Sequence, residues 1–434
     1  MILRDPIHGL VAFEGDDERV VTSLLATREV QRLRRVRQLG LTSLVFPGAE
    51  HSRFAHAIGA AHVMVRLAGH LAARQHALPP ELRLDDESRR DAVAAALLHD
   101  VGHGPFSHLF EEVVPEARAH ESWTVEVLRE PASEVHRALE ALSSGMAERV
   151  ACLLTGEGAR RWLGRTISGT LDVDRCDYLL RDSQMTGVRY GLYDLDWLLR
   201  ALVFAEVPGH GWVLAIEGRK GLPPIESFFL ARQFMYQQVY HHKATRAAEC
   251  LIHGMFRRLA QLIREGAAPA GTPEAVRRAV LGQPLGLGAY LALDDPSIMT
   301  CIAAWEDASD PLLADFAARL LHRRLPKTIP LPEGPEARWL DAKARADEVA
   351  RARGLDPELT VWLDVPDDTP YAEPTDVSAE GLWVVLSKQP LRRLGEVSFL
   401  LRQLRNQTIV RPRLVFPEAI RAEVEAAVEE VFVG

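Results

Sequence analysis

The sequence is poor in cysteine, in surplus positive charge and in long apolar runs, and each shortage removes a class of protein. Four cysteines occur in 434 residues, Cys152, Cys176, Cys250 and Cys301, with no CxxC pair. That spacing offers neither a thiolate metal site nor a disulfide framework, and it suits a reducing compartment. Asp and Glu outnumber Lys and Arg by 60 to 51, a formal net charge of -9. The chain therefore lacks the basic footprint of a nucleic-acid binder, and nucleic acid is not expected as a partner. No apolar run approaches the roughly 20 residues of a membrane span. The opening MILRDPIHG is not a charged-then-apolar leader. A cytoplasmic protein with no membrane partner is the expectation. Internal repeats and low-complexity tracts are also missing.

What remains is ordinary globular usage, 47% apolar and 26% charged, in a chain long enough for one large domain and a smaller one. Residues 24–41 carry Leu25, Val30, Leu33, Val36 and Leu39 near helical spacing, with Gly40 as a stop. Residues 53–78 form a second periodic stretch closed by Pro79 and Pro80, and residues 89–104 a third. The third is apolar on nearly all sides, which places it at the centre of the core. Residues 202–217 read as a β-hairpin around Pro208, Gly209, His210 and Gly211; helices resume over 226–263, and 266–275 is a loop. Beyond residue 328, proline- and acid-rich connectors alternate with strand candidates at 359–365, 381–387 and 408–416, before a last helix over 418–432. The expected architecture is mostly α: a helical core with a short hairpin in 1–328, and a small α+β accessory region in 329–434.

Imidazoles and carboxylates end the most apolar segment, ALLHDVGHGPFSHLFEE, residues 96–112. Burying such groups unpaired is costly. On a helix His99 and His103 share one face at i, i+4, with Asp100 about 100° round. Gly102, Gly104 and Pro105 then break the helix. HSRFAHAIG puts His56 early in the second helix with Arg53 a turn before it; TLDVDRCDYLLRDS puts Asp174, Tyr178 and Asp182 on one stripe, with Arg175 beside the first. An isolated His-Asp pair reads more often as a satisfied core histidine with a capping aspartate. Charged groups on a core-facing stripe, however, call for a shared partner. His56, His99, Asp100 and Asp174 would give two imidazoles and two carboxylates. That mixed set suits manganese, iron, zinc or magnesium, with positions left for water and phosphate oxygen.

The order His56, His99-Asp100, Asp174 resembles the H…HD…D signature of the HD-domain phosphohydrolases. DPIHG, QRLRRVRQLG, VFPGAEHSRFAHAIG, HDVGHGPFSH, DVDRCDYLLRD and YQQVYHHKA follow in the order seen in HD-domain deoxynucleoside triphosphate triphosphohydrolases, over roughly residues 4–260. The resemblance implies an HD-type helical core. It implies one divalent transition metal (manganese, iron or zinc) on His56, His99, Asp100 and Asp174, with room for an additional magnesium. His103, His108 and His120 match the family's second histidine group, near the α-phosphate. His108 is the implied proton donor to the leaving 5′ oxygen, and Glu111 and Glu112 are spaced to orient it. Arg53, Arg175, Arg232 and Lys243 match or adjoin phosphate contacts. Tyr240 matches a tyrosine beneath the sugar that excludes a 2′-hydroxyl, while Gln38, Tyr178 and Asp182 match groups at the 3′ edge. The implied reaction is metal-dependent hydrolysis of a dNTP to deoxynucleoside and inorganic triphosphate, by attack of activated water on the α-phosphorus. A homo-oligomer, dimer or tetramer, is implied, with a nucleotide effector at Gln31, Arg34, Arg323 and Lys327.

Two departures limit the carry-over. Ala26 stands where activated relatives have an acidic residue that reads guanine, so activation by GTP or dGTP is not carried over. Tyr236 replaces a histidine near the base, so neither is base preference. A GYP-type sequence and a Glu-Asp pair after a further histidine are both lacking, which sets aside cyclic-dinucleotide and alarmone hydrolases. A phosphatase of nucleoside mono- or diphosphates remains an alternative. A non-catalytic nucleotide sensor is another, although a sensor has no need of a proton donor such as His108. A nuclease would have to hold a polyanion on an acidic protein.

Overall fold

The chain starts in an antiparallel ribbon, β1 (Ile2–Asp5) and β2 (Gly9–Ala12), whose turn faces inward. The structure is a computed structural model and describes residues 1–157, 160–374 and 381–433. The helices that build the site are α1 (Gly15–Leu25), α2 (Arg28–Arg32), α3 (Arg53–Ala72), α4 (Asp86–Leu98), α5 (His108–Val113), α6 (His120–Arg129) and α7 (Val173–Thr186). The hairpin β3 (Leu202–Val207) and β4 (Gly211–Glu217) follows. After it come α8 (Leu222–Met235), a π turn over Tyr236–Tyr240 and α9 (Lys243–Arg264), with shorter helices between the labelled ones. The fold is mostly α, as expected. Among the described residues, no helix is long and apolar enough to cross a membrane.

Helix α4 is the axis of the core. Asp85 caps it by accepting from the Ser88 amide at 2.7 Å, and Asp86 and Glu87 complement the positive end of the helix. Ala92 through Leu98 are all 0% exposed. Their small side chains admit α1, α3 and the helix Met146–Leu154 on several sides. Burying Val93, Leu97 and Leu98 contributes about 1.5–3 kcal/mol each. A helix so enclosed delivers whatever follows Leu98 to the middle of the protein.

Helix α3 crosses α7 where Gly59 leaves no room for a side chain: a Cβ there would lie 1.8 Å from Asp177 Oδ1 and 2.4 Å from an Arg181 guanidinium nitrogen. Overpacking of this kind costs about 1–3 kcal/mol. Gly59→Ala is expected to lose at least that much in urea unfolding, because the atoms it strikes belong to an ion pair that cannot move aside.

Several expectations need correction. Residues 24–41 are not one helix. The chain breaks at Ala26 and Thr27, resumes as α2, tightens into a 3-10 turn at Leu33–Arg35 and pairs Arg37 with Ser52. Gly40, at φ +50°, opens the 3-10 segment Gly40–Leu44 instead of stopping a helix. The apolar spacing concealed two buried charges, Glu29 and Arg32. Arg32 turns inward to donate to Leu293 O and to His103 O, the latter at 2.7 Å. The second helix ends at Ala72, short of residue 78. Helix α4 ends at Leu98 with His99 as its C-cap, so His103 lies beyond the helix and not on its face at i, i+4.

Strands form within the three expected stretches, 359–365, 381–387 and 408–416, and also at Lys327–Pro330, Asp367–Asp368 and Arg392–Arg393, where none was expected. β5 (Lys327–Pro330), β6 (Trp362–Asp364) and β11 (Arg413–Phe416) make an antiparallel sheet in the order β5-β11-β6, beside α10 (Glu336–Ala352) and α11 (Arg421–Val433). The short β7 (Asp367–Asp368) pairs with β10 (Ile409–Val410). β8 (Trp383–Val385) adds parallel to β4, followed by β9 (Arg392–Arg393), so the hairpin's sheet draws strands from both sides of residue 328. Tyr371, Leu394 and Leu401 join the main core.

Candidate active site

Four side chains from three helices converge past the end of α4. His56 comes from the first turn of α3, His99 and Asp100 from the cap of α4, and Asp174 from the first turn of α7. His56 Nε2 lies 3.0 Å from Asp174 Oδ1, 3.2 Å from His99 Nε2 and 3.6 Å from Asp100 Oδ2. His99 Nε2 lies 3.4 Å from both Asp174 Oδ1 and Asp100 Oδ1. The other ring nitrogens are engaged: His99 Nδ1 on Ala96 O at 2.9 Å, His56 Nδ1 on Asp177 Oδ2 at 2.8 Å. A carbonyl and a carboxylate only accept, so both Nδ1 atoms carry hydrogen and both Nε2 atoms face the centre, where they offer lone pairs when the rings are neutral. Two imidazoles and two carboxylates presented in this way fit a divalent cation.

The charges point the same way. Burial alone would lower the His56 pKa, but its hydrogen bonds to Asp174 and Asp177 outweigh this and hold it at about 10. His99 is raised against burial by the Asp100 charge and by Asp174. Burial would raise Asp100 and Asp174. Asp100 is held far down by Arg53 and His99, and Asp174 is lowered by its contacts with the two histidines. The carboxylates thus favour positive charge at this point, and ligation of a cation by the two imidazoles would release any protons they carry.

The turn after Asp100 is clamped. Arg53 donates to Asp100 Oδ2 and, through Nε, to Ser107 Oγ at 2.8 Å. Ser107 Oγ donates to Arg37 O at 2.8 Å. Asp295, whose carboxylate also accepts from the Arg37 amide at 3.0 Å, accepts from the Phe106 amide at 2.8 Å. Phe106 and Ser107 both have positive φ, 56° and 60°, strain that such a clamp sustains beside a functional site. The turn places His103, His108 and His120 in one group. His103 and His120 stack at 3.7 Å, and His108 meets them edge-on at 4.9 and 5.1 Å. Glu111 Oε1 lies 2.9 Å from His120 Nδ1, 3.8 Å from His108 Nδ1 and 3.9 Å from His103 Nδ1. His103 is buried, whereas the His108 side chain is 65% exposed. Burial and the Arg53 charge lower the pKa of His103, and the protein atoms crowding one side of the His108 ring, with Arg53, lower that of His108.

A third wall is aromatic. Tyr178 meets His56 and Tyr240 edge-on at 6.4 and 6.3 Å, and the Tyr240 hydroxyl donates to Asp182 Oδ2 at 2.8 Å. Asp182 Oδ1 is held by His51 Nε2 at 2.7 Å. Tyr240 ends the π turn, a device often found at functional sites. Gln38 is buried, its backbone carbonyl accepting from Ser107 Oγ at 3.4 Å.

The remaining sequence candidates sit apart from this centre or are already engaged. Arg175 binds Asp172 and Gly169 O, and Arg232 binds Asp368, Thr369 O and Pro370 O. Lys243 is exposed at the start of α9. Gln31 and Arg34 contact each other, Arg323 donates to Leu44 O, and Lys327 pairs with Glu418. A cavity of about 1170 Å³, which none of the histidine-site residues lines, includes Arg66, Arg74, Trp197, Arg200 and Lys220. The sequence reading missed Asp177, His51, Ser107 and Asp295. Asp177 in DVDRCDYLLRD, His51 in HSRFAHAIG and Ser107 in HDVGHGPFSH all lay inside quoted motifs, and Asp295 did not.

Residues 53–182 match the HD domain and residues 194–433 the HD associated region. The uncharacterized protein YwfO of Bacillus subtilis is 34% identical over 370 residues, 85% of this chain and 80% of that protein. The deoxynucleoside triphosphate triphosphohydrolase SAMHD1 of Danio rerio is 28% identical, and its homolog in Dictyostelium discoideum 30%, over 59% and 61% of this chain. The chain spans only 44% and 50% of those two proteins. A phosphohydrolase crystal structure from Bacteroides thetaiotaomicron superposes with a TM-score of 0.79 at 25% identity, covering 96% of this chain and 100% of that one. A hypothetical protein from Aquifex aeolicus gives 0.73 at 26% identity, covering 99% of each chain.

Proposed function

The chain belongs to the HD-domain phosphohydrolases that carry an HD associated region, and on that premise we propose that it hydrolyses deoxynucleoside triphosphates to deoxynucleoside and inorganic triphosphate. The observation that carries the reading is the convergence of His56, His99, Asp100 and Asp174 beside an open histidine group. Those four residues would hold manganese, iron or zinc. A bound divalent cation would lower the pKa of water and neutralise charge on phosphoryl oxygens. The chain's own residues do the rest. His108, at the mouth, gives a proton to the 5′ oxygen as it leaves the α-phosphorus, with Glu111 aligning it. Arg53 adds positive charge next to Asp100, and Arg175 lies one residue from Asp174. Tyr178, Asp182 and Tyr240 form the sugar wall, where the crowding of Tyr240 disfavours a 2′-hydroxyl. Self-association belongs to the same reading. So does an effector nucleotide, placed by the resemblance at Gln31, Arg34, Arg323 and Lys327.

Incubating the protein with each dNTP and Mn²⁺, with products resolved by chromatography, tests the activity. Tripolyphosphate with deoxynucleoside is the expected outcome. Release of orthophosphate or pyrophosphate instead would assign a phosphatase or pyrophosphohydrolase.

A further inference from the structure

DPIHG, the motif at the start of the chain, has no part in the chemistry above, yet it reaches the metal centre. Asp177 on α7 is fully buried and both of its oxygens are filled. Oδ2 meets His56 Nδ1 at 2.8 Å and accepts from Arg181 Nε at 2.8 Å. Oδ1 meets His8 Nε2 at 2.7 Å and accepts from the Arg181 guanidinium at 2.8 Å. Arg181 also donates to Asp5 Oδ2 at 2.8 Å. Asp5 Oδ1 closes the circuit by accepting from the backbone amides of Ile7 and His8 at 2.9 and 3.0 Å. The result is a ring of Asp5, His8, Asp177 and Arg181 with one outlet, the imidazole of His56. Gly59, at the crossing of α3 and α7, is what lets this ring lie against α3.

We propose that the Asp5–His8 turn, acting through Asp177, is a positioning brace that fixes the ring orientation and tautomer of His56 so that its Nε2 lone pair faces the cation. The brace rests on the reading of His56 as a metal ligand. Asp177 and His8 touch no substrate and are not catalytic residues. Arg181 makes the arrangement specific, because it donates to each oxygen of Asp177. An asparagine there would set its amide hydrogens against a guanidinium N–H in either orientation. Turned toward His56, it would also favour Nε2–H, the tautomer that cannot ligate.

Metal-free protein is titrated with Mn²⁺ against a competing chelator, comparing wild type, Asp177→Asn, His8→Ala and His8→Gln. Loss of an outer partner of a metal-binding histidine typically lowers affinity by about 10–100-fold, and that range is expected for Asp177→Asn and His8→Ala. Gln can still donate to Asp177 Oδ1, so His8→Gln is expected to stay within about threefold of wild type on that scale. In Zn²⁺-loaded wild type the His56 Nδ1 proton should give a downfield hydrogen-bonded imidazole resonance, and Asp177→Asn should lose it. His8 lies in a turn outside the helical core, so His8→Ala keeps the test valid should Asp177→Asn fold poorly. Wild-type affinity in His8→Ala, or an unchanged His56 resonance in Asp177→Asn, would overturn the brace alone. Wild type that binds no Mn²⁺ would overturn the metal reading and the brace with it.

Discussion

Replacing His99 and Asp100 together with alanine takes turnover to background and leaves the protein unable to retain stoichiometric Mn²⁺. Even one lost electrostatic stabiliser at an active centre costs about 10²–10³ in kcat, and this variant removes two of four convergent ligands. The change is not silent in the fold. Asp100 is the carboxylate opposite Arg53, a buried cation with Ser107 as its other side-chain acceptor. Breaking a buried ion pair from one side costs about 3–5 kcal/mol, so the double variant is also expected to melt earlier. His99→Ala alone is the companion measurement: its Nδ1 bond to Ala96 O is local to the helix cap. It should lose metal and turnover while keeping more stability than the double variant. Full activity in the double variant, assayed alongside a folding control, would contradict the assignment.

His108→Asn is expected to lower kcat by about 10²–10⁴, the range for a removed general acid, while leaving Mn²⁺ binding intact. Geometry selects His108 over its neighbours. His103 is sealed in at 1% exposure with Nε2 3.3 Å from Asp100 Oδ1, and His120 is tied to Glu111. His108 alone of the three stands open at the mouth. Its pKa lies below the ordinary 6.5, first through the protein atoms crowding the inner side of its ring and then through the positive charge of Arg53 and of His120. The donor must be protonated to act. In the free enzyme kcat/KM should therefore fall as pH rises through that lowered pKa, and the limb should vanish in His108→Asn. An incoming polyphosphate offsets the Arg53 charge and moves the group back up, so kcat should hold to higher pH than kcat/KM. Unchanged kcat in His108→Asn would transfer the acid role to another group.

The convergence of the residues proposed to hold the cation was legible in the sequence for a definite reason. His99 and Asp100 follow a run too apolar to face water, and Asp174, Tyr178 and Asp182 fall on one helical stripe. Burial and periodicity are both local properties, and both appear in the structure. His103 was misplaced because the face argument assumed a helix through Gly102. The structure instead ends the helix at Leu98, and Gly102 becomes the point where the backbone of α6 approaches: a Cβ there would lie 2.3 Å from His120 O. The broken stretch after Leu25 has a similar origin. Periodicity registers apolar residues and not a buried Arg32 whose acceptors, His103 O and Leu293 O, lie 71 and 261 residues away. Asp177 has partners 121 and 169 positions distant in His56 and His8. Helical spacing shows which face a residue occupies and says nothing of what meets it there. The parallel pairing of β8 with β4 was hidden in the same way, since each strand is readable locally and their adjacency is not.

The central claim is that four side chains, separated by 118 positions from His56 to Asp174, share one cation. A crystal soaked in MnCl₂ and measured at the manganese absorption edge tests it directly. The account predicts one strong anomalous peak within about 2.0–2.3 Å of His56 Nε2, His99 Nε2 and carboxylate oxygens of Asp100 and Asp174. A peak seated on His103, His108, His120 and Glu111 alone, or no peak in an occupied lattice, would contradict it.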